Sequence, residues 1–328
     1  MKTSFEEQIH AAVREGYGAI AQTNQSCCSG ASCCGSSPEV AHDLAVKLGY
    51  DPQILESLPE GTNLGLSCGN PQAIAALNSG ETVLDLGSGA GFDVFLSAQA
   101  VGPTGKAIGV DMTSQMLSKA RKNAISFTER TGLSNVDFRL GEIEHLPVAD
   151  ASVDVVISNC VLNLSPDKPQ VWREIARVLK PGGRVAISDL ALLRPLPEGA
   201  TELVNALVGC VAGASLVETI ERDARAAGLA EVKIGIKHNY VAVMEDVGDS
   251  LYQQILSLLP PGQKMSDYIV STDLSARRAI EPCENDWHHE QQPSGNGPGG
   301  GDEARLTSEN PQWHQSSSCC GASETGCC

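Results

Sequence analysis

The stretch "VLDLGSGAG", residues 83–91, decides the fold. An apolar, strand-like run leads into a turn that carries Gly87, Gly89 and Gly91, and a helix-like segment follows. Glycine accepts positive φ angles and lets the backbone approach a ligand closely, so the turn is typical of nucleotide-binding loops. Dinucleotide-binding loops have the spacing G-x-G-x-x-G, whereas this chain has G-x-G-x-G. The loop therefore predicts a nucleoside ligand without identifying it.

Strand-like and helix-like segments alternate on both sides of this loop. The strand-like segments are "TVLDLG", "AIGVD", "VDFRLG", "VDVVIS" and "RVAISD". Apolar strands in such an alternation indicate a parallel sheet covered by helices on both faces. We predict an α/β, doubly wound, Rossmann-like domain over residues 71–190. N-terminal helices with a cysteine-rich loop precede it in 1–70, a smaller appended α+β lid domain spans 191–280, and a disordered tail with two CC pairs spans 281–328.

Composition excludes several classes of function. The net charge of −17 argues against nucleic acid, because phosphate binding needs clustered Lys and Arg. The sequence lacks both an apolar run of the roughly 20 residues that a membrane span needs and the apolar core of a signal peptide. We expect a soluble, cytoplasmic, monomeric protein. The twelve cysteines are then unusual, because thiols in a reducing compartment more often pack, ligate or react than form structural disulfides.

Side chains at the strand ends predict the identity of the nucleoside. Asp85 would repel a pyrophosphate but suits the positive end of S-adenosylmethionine. Asp111 can accept hydrogen bonds from both ribose hydroxyls, and Met112 can pack on the adenine ring. Glu142 and Ile143 can meet the amino edge of adenine. Ligands bind at the carboxyl ends of strands in such sheets, so the pattern predicts a methyltransferase fold that binds S-adenosylmethionine. The predicted cofactor residues are Asp85, Gly87, Gly89, Gly91, Asp111, Met112, Glu142, Ile143 and Asn159.

The acceptor is indicated by "ISNCVLNL", residues 157–164, at the end of the fourth strand. Many methyltransferases place a general base or an Asn-Pro-Pro-aromatic motif here, whereas this chain has Asn159 and Cys160. An acceptor that carries its own lone pair needs no base. Thiolates select thiophilic ions, and trivalent arsenic held by three sulfurs keeps a lone pair that can face the sulfonium methyl group. A single buried cysteine is usually packing, but Cys68 and Cys210 could close over Cys160 and complete such a site.

At this point the chain resembles the arsenite methyltransferases that use S-adenosylmethionine, over roughly residues 10–280. The matching stretches are "SCGNP", "VLDLGSGAGFD", "GVDMT", "GEIEHLP", "SNCVLNL" with "PDK", "VLKPGG" and "GCVAGA". Cys68, Cys160 and Cys210 fall on the arsenic-binding positions of that family. The resemblance implies methylation of arsenite and methylarsenite, which is a detoxification reaction.

The resemblance also implies a redox cysteine near the N-terminus that pairs with the Cys68 position during turnover. Four candidates share that loop, and the sequence does not choose among them: Cys27, Cys28, Cys33 and Cys34. A thiol pair there would return two electrons to pentavalent arsenic, and thioredoxin or glutathione would reduce the resulting disulfide. The vicinal cysteine pairs could instead bind zinc.

Two other functions stay open from the sequence. A methyltransferase for a quinone-like or other small organic acceptor would share the cofactor motifs without needing the cysteine set. A non-enzymatic arsenic-binding protein would keep the cysteines, but intact Asp85, Asp111 and glycines argue against a vestigial cofactor pocket. The cysteine pairs of the tail either capture arsenic for the site or belong to an end without a catalytic role.

Overall fold

One mixed sheet organises the computed structural model, which describes residues 2–23, 38–197, 199, 211, 213–237, 241 and 250–280. The strands are β1 (Thr82–Leu86), β2 (Lys106–Asp111), β3 (Val136–Leu140), β4 (Val153–Asn159), β5 (Leu179–Leu192), β6 (Leu229–Lys237) and β7 (Ile269–Arg278). The helices are α1 (Lys2–Thr23), α2 (Pro38–Lys47), α3 (Pro52–Ser57), α4 (Pro71–Ala75), α5 (Phe92–Val101), α6 (Ser114–Thr131), α7 (Lys168–Val178), α8 (Val217–Ala226) and α9 (Ser250–Leu258).

The strand order is β3-β2-β1-β4-β5-β7-β6. Strands β1 to β5 run parallel, and β7 runs antiparallel to both of its neighbours. The order of the strands reverses between β1 and β4, which is where open α/β sheets bind ligands outside their carboxyl ends. The predicted α/β fold is confirmed, and the glycine-rich loop lies at this switch point.

Helices bury both faces of the sheet. In β1, Leu84 and Leu86 pack in the same cluster as Trp172 and Ile175 of α7. Another cluster holds Phe95 of α5, whose ring centroid lies 4.8 Å from that of Phe127 in α6. Each fully buried side chain of this size stabilises the fold by roughly 1.5–3 kcal/mol. This packing on both sides gives the loops at the strand ends a rigid base.

The segment predicted as an appended domain completes the same sheet. Strand β5 extends to Leu192, so the predicted boundary after residue 190 falls inside a strand. Strands β6 and β7 both come from 191–280, and β7 pairs with β5 over nine residues, from Arg184 to Leu192. The described residues up to 280 belong to one compact unit. The apolar pattern of β6 and β7 gave no sign of which sheet they would join.

Several predicted features lie outside the described residues. They are the N-terminal cysteine cluster, Cys210 in the predicted lid domain, and the tail from 281. Within the described part of the chain, no helix combines the length and the apolar character needed to cross a membrane.

Candidate active site

The glycine-rich loop between β1 and α5 is shaped by contacts that exclude side chains. Gly87 has a φ of +70°, and a Cβ atom there would lie 2.3 Å from Cγ2 of Val161. Gly91 has a φ of +96°, and its Cβ would lie 2.6 Å from Cε2 of Phe95. Any larger residue at either position would meet both backbone strain and a clash. The loop can therefore bring its backbone close to a ligand.

A cavity opens above this loop, and its empty volume of about 930 Å³ includes space open to solvent. Six of the predicted cofactor residues line it, namely Gly87, Gly89, Asp111, Met112, Ile143 and Asn159. The other three, Asp85, Gly91 and Glu142, are not among its described lining residues. The structure thus places most of the predicted cofactor-binding residues around one cavity.

Asp111 is held in place by the backbone. Its Oδ2 accepts the N–H of Gly89 at 2.9 Å, and its Oδ1 accepts the N–H of Thr113 at 2.7 Å. Burial raises the pKa of Asp111, and the two backbone amides act in the opposite direction. Because a carboxylate oxygen has two lone pairs, each oxygen can still accept a ligand hydroxyl.

Two further carboxyl groups lie buried near the glycine loop. Burial raises the pKa of Asp85, and the negative charges of Asp93 and Asp111 raise it further. Burial also raises the pKa of Asp93, although hydrogen bonds from Asn159 and Tyr50 counteract it. A cation bound in the cavity would stabilise the charged form of these acids. Asp93 was missed in the sequence, although it directly follows the glycine loop in "GFD".

Helix α1 contributes a wall of the cavity that the sequence did not reveal. Its residues His10, Val13 and Tyr17 line the space. The two imidazole nitrogens of His10 lie 3.2 Å from Glu144 and 3.4 Å from Glu142. Arg14 also donates to Glu142, at 3.1 Å. The carboxylate of Glu142 is therefore engaged with α1, and it is Glu144 that lines the cavity.

Cys68 and Cys160 meet at the edge of the cavity. They are joined in a disulfide with a Cα–Cα distance of 5.9 Å, and both residues are buried. Cys160 has a φ of +58°, which costs about 1–2 kcal/mol in a residue other than glycine. Its N–H donates to the carbonyl of Ser188 at 2.9 Å, which fixes this conformation against β5. Cys160 also lines the cofactor cavity, so the sulfur pair adjoins the cofactor space.

Asp189 is a third group beside the two sulfurs. One carboxylate oxygen and both sulfurs lie within 4.8 Å of one another. Oδ1 of Asp189 accepts from the side chain of Asn163 at 2.9 Å, whereas Oδ2 has no hydrogen-bond partner among the described residues. Burial raises the pKa of Asp189 to about 7. The sequence held a signal for this residue, because "ISD" ends the predicted strand "RVAISD" just as "GVD" ends "AIGVD", although β5 continues to Leu192.

The remaining predicted cysteines lie outside the described residues. Cys210, the third predicted arsenic ligand, and the N-terminal candidates stay predictions, and those candidates are Cys27, Cys28, Cys33 and Cys34. The resemblance implies a disulfide between that cluster and Cys68, whereas in this structure Cys68 is bonded to Cys160. The structure therefore places the sulfurs of these two predicted ligands in direct contact.

Comparisons with known proteins agree with this geometry. A methyltransferase domain family matches residues 77–275. The chain is 45% identical over 280 residues to the arsenite methyltransferase of Halobacterium salinarum, covering 83% of this chain and 67% of that one. It is 36% identical over 251 residues to the arsenite methyltransferase of Aquipseudomonas alcaligenes, covering 74% and 70% respectively.

A solved structure shows the same relationship. An arsenic(III) S-adenosylmethionine methyltransferase from Chlamydomonas reinhardtii matches with 32% identity and a TM-score of 0.50. The match covers 72% of this chain and 73% of that one. With the motif, the cavity and the sulfur pair in agreement, the chain belongs to the arsenite methyltransferase family.

Proposed function

We propose that this protein transfers methyl groups from S-adenosylmethionine to trivalent arsenic held by cysteine thiolates, giving methylated arsenicals. The observation that carries the proposal is the position of Cys68 and Cys160, which meet at the rim of the cofactor cavity. Relatives that are named arsenite methyltransferases support the same substrate. The organic-acceptor alternative gives no reason for two buried sulfurs at this place.

The residues around the cavity fit S-adenosylmethionine, which supplies an electrophilic methyl group when bound. Asp111 retains lone pairs for two ribose hydroxyls, and Met112 and Ile143 offer apolar surface to the adenine ring. Asp85 and Asp93 are buried near the glycine loop, and a sulfonium bound in the cavity would favour their ionised forms. A thioether product lacks that positive charge and would not favour ionisation.

In the reduced protein, Cys68 and Cys160 supply two soft ligands for arsenic. Cys210 supplies the third, as the resemblance implies. Three sulfurs on one side of the arsenic atom leave its lone pair on the other side. Because Cys160 lines the cofactor cavity, arsenic bound to its sulfur would lie beside the space where the methyl group is presented.

Turnover also requires two electrons. Methylation at the lone pair raises arsenic from the trivalent to the pentavalent state. Oxidation of two thiols to a disulfide returns arsenic to the trivalent state, and thioredoxin or glutathione then reduces the disulfide by thiol exchange. We assign the oxidised pair to Cys68 and one cysteine of the N-terminal cluster, with the protein acting as a monomer in the cytoplasm. Trapping the disulfide during turnover would identify the cysteine.

The proposed activity is tested by incubating the purified full-length protein with arsenite, S-adenosylmethionine and a dithiol, and then separating the arsenic species. We expect methylated arsenicals together with one molecule of S-adenosylhomocysteine for each methyl group transferred. The Cys160→Ser variant should bind S-adenosylmethionine but form no product. Wild-type protein that binds S-adenosylmethionine yet leaves arsenite unmethylated would contradict the proposal.

A further inference from the structure

The side chain of Asn159 joins the buried acids of the cofactor side to the turn that carries Cys68. Its Oδ1 accepts the N–H of Cys68 at 3.2 Å. Its Nδ2 lies 3.0 Å from the hydroxyl of Tyr50, 3.1 Å from Oδ2 of Asp93 and 3.1 Å from the carbonyl of Gly69. An amide has two donor hydrogens, so three acceptors already share them. The side-chain amide of Asn159, which the sequence predicts to contact the cofactor, is therefore already hydrogen-bonded to other protein groups.

The turn at Cys68 is held against three neighbouring strands. Asn159 lies at the end of β4, and the hydroxyl of Ser271 in β7 donates to the carbonyl of Cys68 at 3.0 Å. A Cβ on Gly69 would lie 2.4 Å from Cβ of Ser188 in β5, so the turn is packed directly on that strand. The turn itself belongs to no strand, and these contacts are what place its sulfur.

We infer that Asn159 is a positioning residue that sets the approach of Cys68 to Cys160. Asn159 directly precedes Cys160 in the chain, and its side chain accepts the backbone N–H of Cys68. One residue therefore connects the backbone at both cysteines. A metalloid bridging two sulfurs needs them at a set separation, and holding them there before binding reduces the entropy that binding costs. The inference rests on the proposed function for its substrate, but it concerns a geometry that can be measured without arsenic.

The test is the equilibrium between the Cys68–Cys160 disulfide and the two thiols. Full-length wild type and Asn159→Ala are equilibrated with oxidised and reduced dithiothreitol, acid-quenched and alkylated. The peptide pair that contains both cysteines is then quantified by mass spectrometry. Losing hydrogen bonds worth about 1.4 kcal/mol should weaken the disulfide about tenfold against dithiothreitol.

Two further variants complete the experiment. Ser271→Ala removes another link to the same turn and should shift the equilibrium in the same direction by a smaller factor. Asn135→Ala is the matched control, because its amide donates to the carbonyls of Ala98 and Gly102 at 3.0 and 2.8 Å, near β3. It should leave the thiol equilibrium unchanged.

If the thiol–disulfide equilibrium is unchanged in Asn159→Ala, the inference is wrong. If Asn159→Ala does not fold, an unchanged equilibrium in Ser271→Ala overturns the inference instead. A loss of S-adenosylmethionine affinity larger than the thiol shift would overturn it too and make Asn159 a cofactor ligand. Because no arsenic enters this assay, a wild-type protein that fails to methylate arsenite would contradict only the proposed function.

Discussion

The cofactor cavity and the sulfur pair lie side by side at the same edge of the sheet, but they are built from different kinds of contact. Around the cavity, backbone amides of Gly89 and Thr113 hold Asp111, and the loop glycines have positive φ angles, although Val161 and helix α1 complete the wall. The sulfur pair instead depends on contacts between distant parts of the chain. The hydrogen bond from Ser271 to Cys68, for example, joins residues 203 positions apart.

This difference predicts how the two regions respond to substitution. A site made by local backbone geometry keeps its shape when a side chain elsewhere is removed. A site assembled by distant side chains, with Cys160 in a left-handed conformation, loses its geometry when one support is lost. Cofactor binding and arsenic chemistry should therefore be separable by mutation, and the following predictions test that separation.

The largest effect is expected for Cys160→Ser, and Cys210→Ser should behave alike. Loss of an outer-shell partner already costs roughly 10–100-fold at metal sites, so loss of a ligand should lower methylation of both arsenite and methylarsenite by more than about 100-fold. Product formation is measured by arsenic speciation, with S-adenosylmethionine affinity as the control. Wild-type rates on either substrate would exclude Cys160 as a ligand.

Asp111→Ala should weaken cofactor binding and leave the sulfur pair unchanged, which is the opposite of the effect expected for Cys160→Ser. Removing the acceptor of two ribose hydroxyls should cost about 1.5–3 kcal/mol, which is a loss of about 10- to 100-fold in affinity for S-adenosylmethionine. Isothermal titration measures this, and the Cys68–Cys160 equilibrium should not change. Asp150→Ala is the control, because the Asp150 side chain is 78% exposed. If Asp111→Ala bound S-adenosylmethionine as the wild type does, the nucleoside would lie elsewhere.

Cys68→Ser should distinguish the two methylation steps. Arsenite has no methyl group and needs a further sulfur, whereas methylarsenite already carries one carbon ligand and can sit on two thiolates. We expect a loss of about tenfold or more with arsenite and a small loss with methylarsenite, since a soft ion gains little from a hydroxyl ligand. Rates of a single methyl transfer, which does not require the Cys68 disulfide, are compared on both substrates at saturating S-adenosylmethionine. Equal losses would show that Cys68 serves both steps alike.

Glu81→Gln should lower stability without affecting either region. Arg184 lies 2.7 Å from Glu81 and lowers the pKa of that carboxyl from 4.5 to about 2. A depressed pKa stabilises the folded state above the unfolded value, so the contribution is lost as the pH falls from about 4.5 to about 2. At pH 7 the variant should lose on the order of 2 kcal/mol in urea unfolding. Near pH 2, the two proteins should converge, and a constant difference would contradict the assignment.

The smallest effect is expected from removing residues 281–328. Folding and S-adenosylmethionine affinity should stay unchanged, because the described core ends before this segment. If the tail delivers arsenic, the truncated protein should lose rate only at low arsenite, since a tether raises the local concentration into the millimolar range. Equal rates at every arsenite concentration would exclude delivery by the tail.

The two regions also differ in how far the sequence predicted them. The glycine loop and Asp111 are encoded in short local patterns, and the structure places them around one cavity. Glu142 does not line the cavity and binds Arg14 of α1, whereas Glu144 lines it; His10 of α1 contacts both acids, so the local pattern alone could not assign them. In the sequence, Asp189 ends a predicted strand as Asp111 does. Its position beside the two sulfurs depends on how β5 packs, which the local pattern does not give.

The network of Tyr50, Asp93 and Asn159 could not be read from the sequence. Its members are separated by up to 109 positions, and each residue alone has the pattern of an ordinary helix start or strand end. The sequence likewise contains the motif of the turn at Cys68, "SCGNP", but does not indicate which three strands contact that turn. Local patterns identify the chemistry, and long-range packing supplies the geometry.

X-ray absorption at the arsenic edge tests the central claim most directly. The reduced full-length protein, carrying serine in place of the N-terminal cysteine cluster and of the CC pairs of the tail, is loaded with one equivalent of arsenite in the absence of other thiols, and the atoms bound to arsenic are counted. We predict three sulfur neighbours in this background and at least one fewer when Cys160→Ser is added, with S-adenosylmethionine affinity unchanged by that substitution. Arsenic surrounded by oxygen, or the same sulfur shell in Cys160→Ser, would contradict the account.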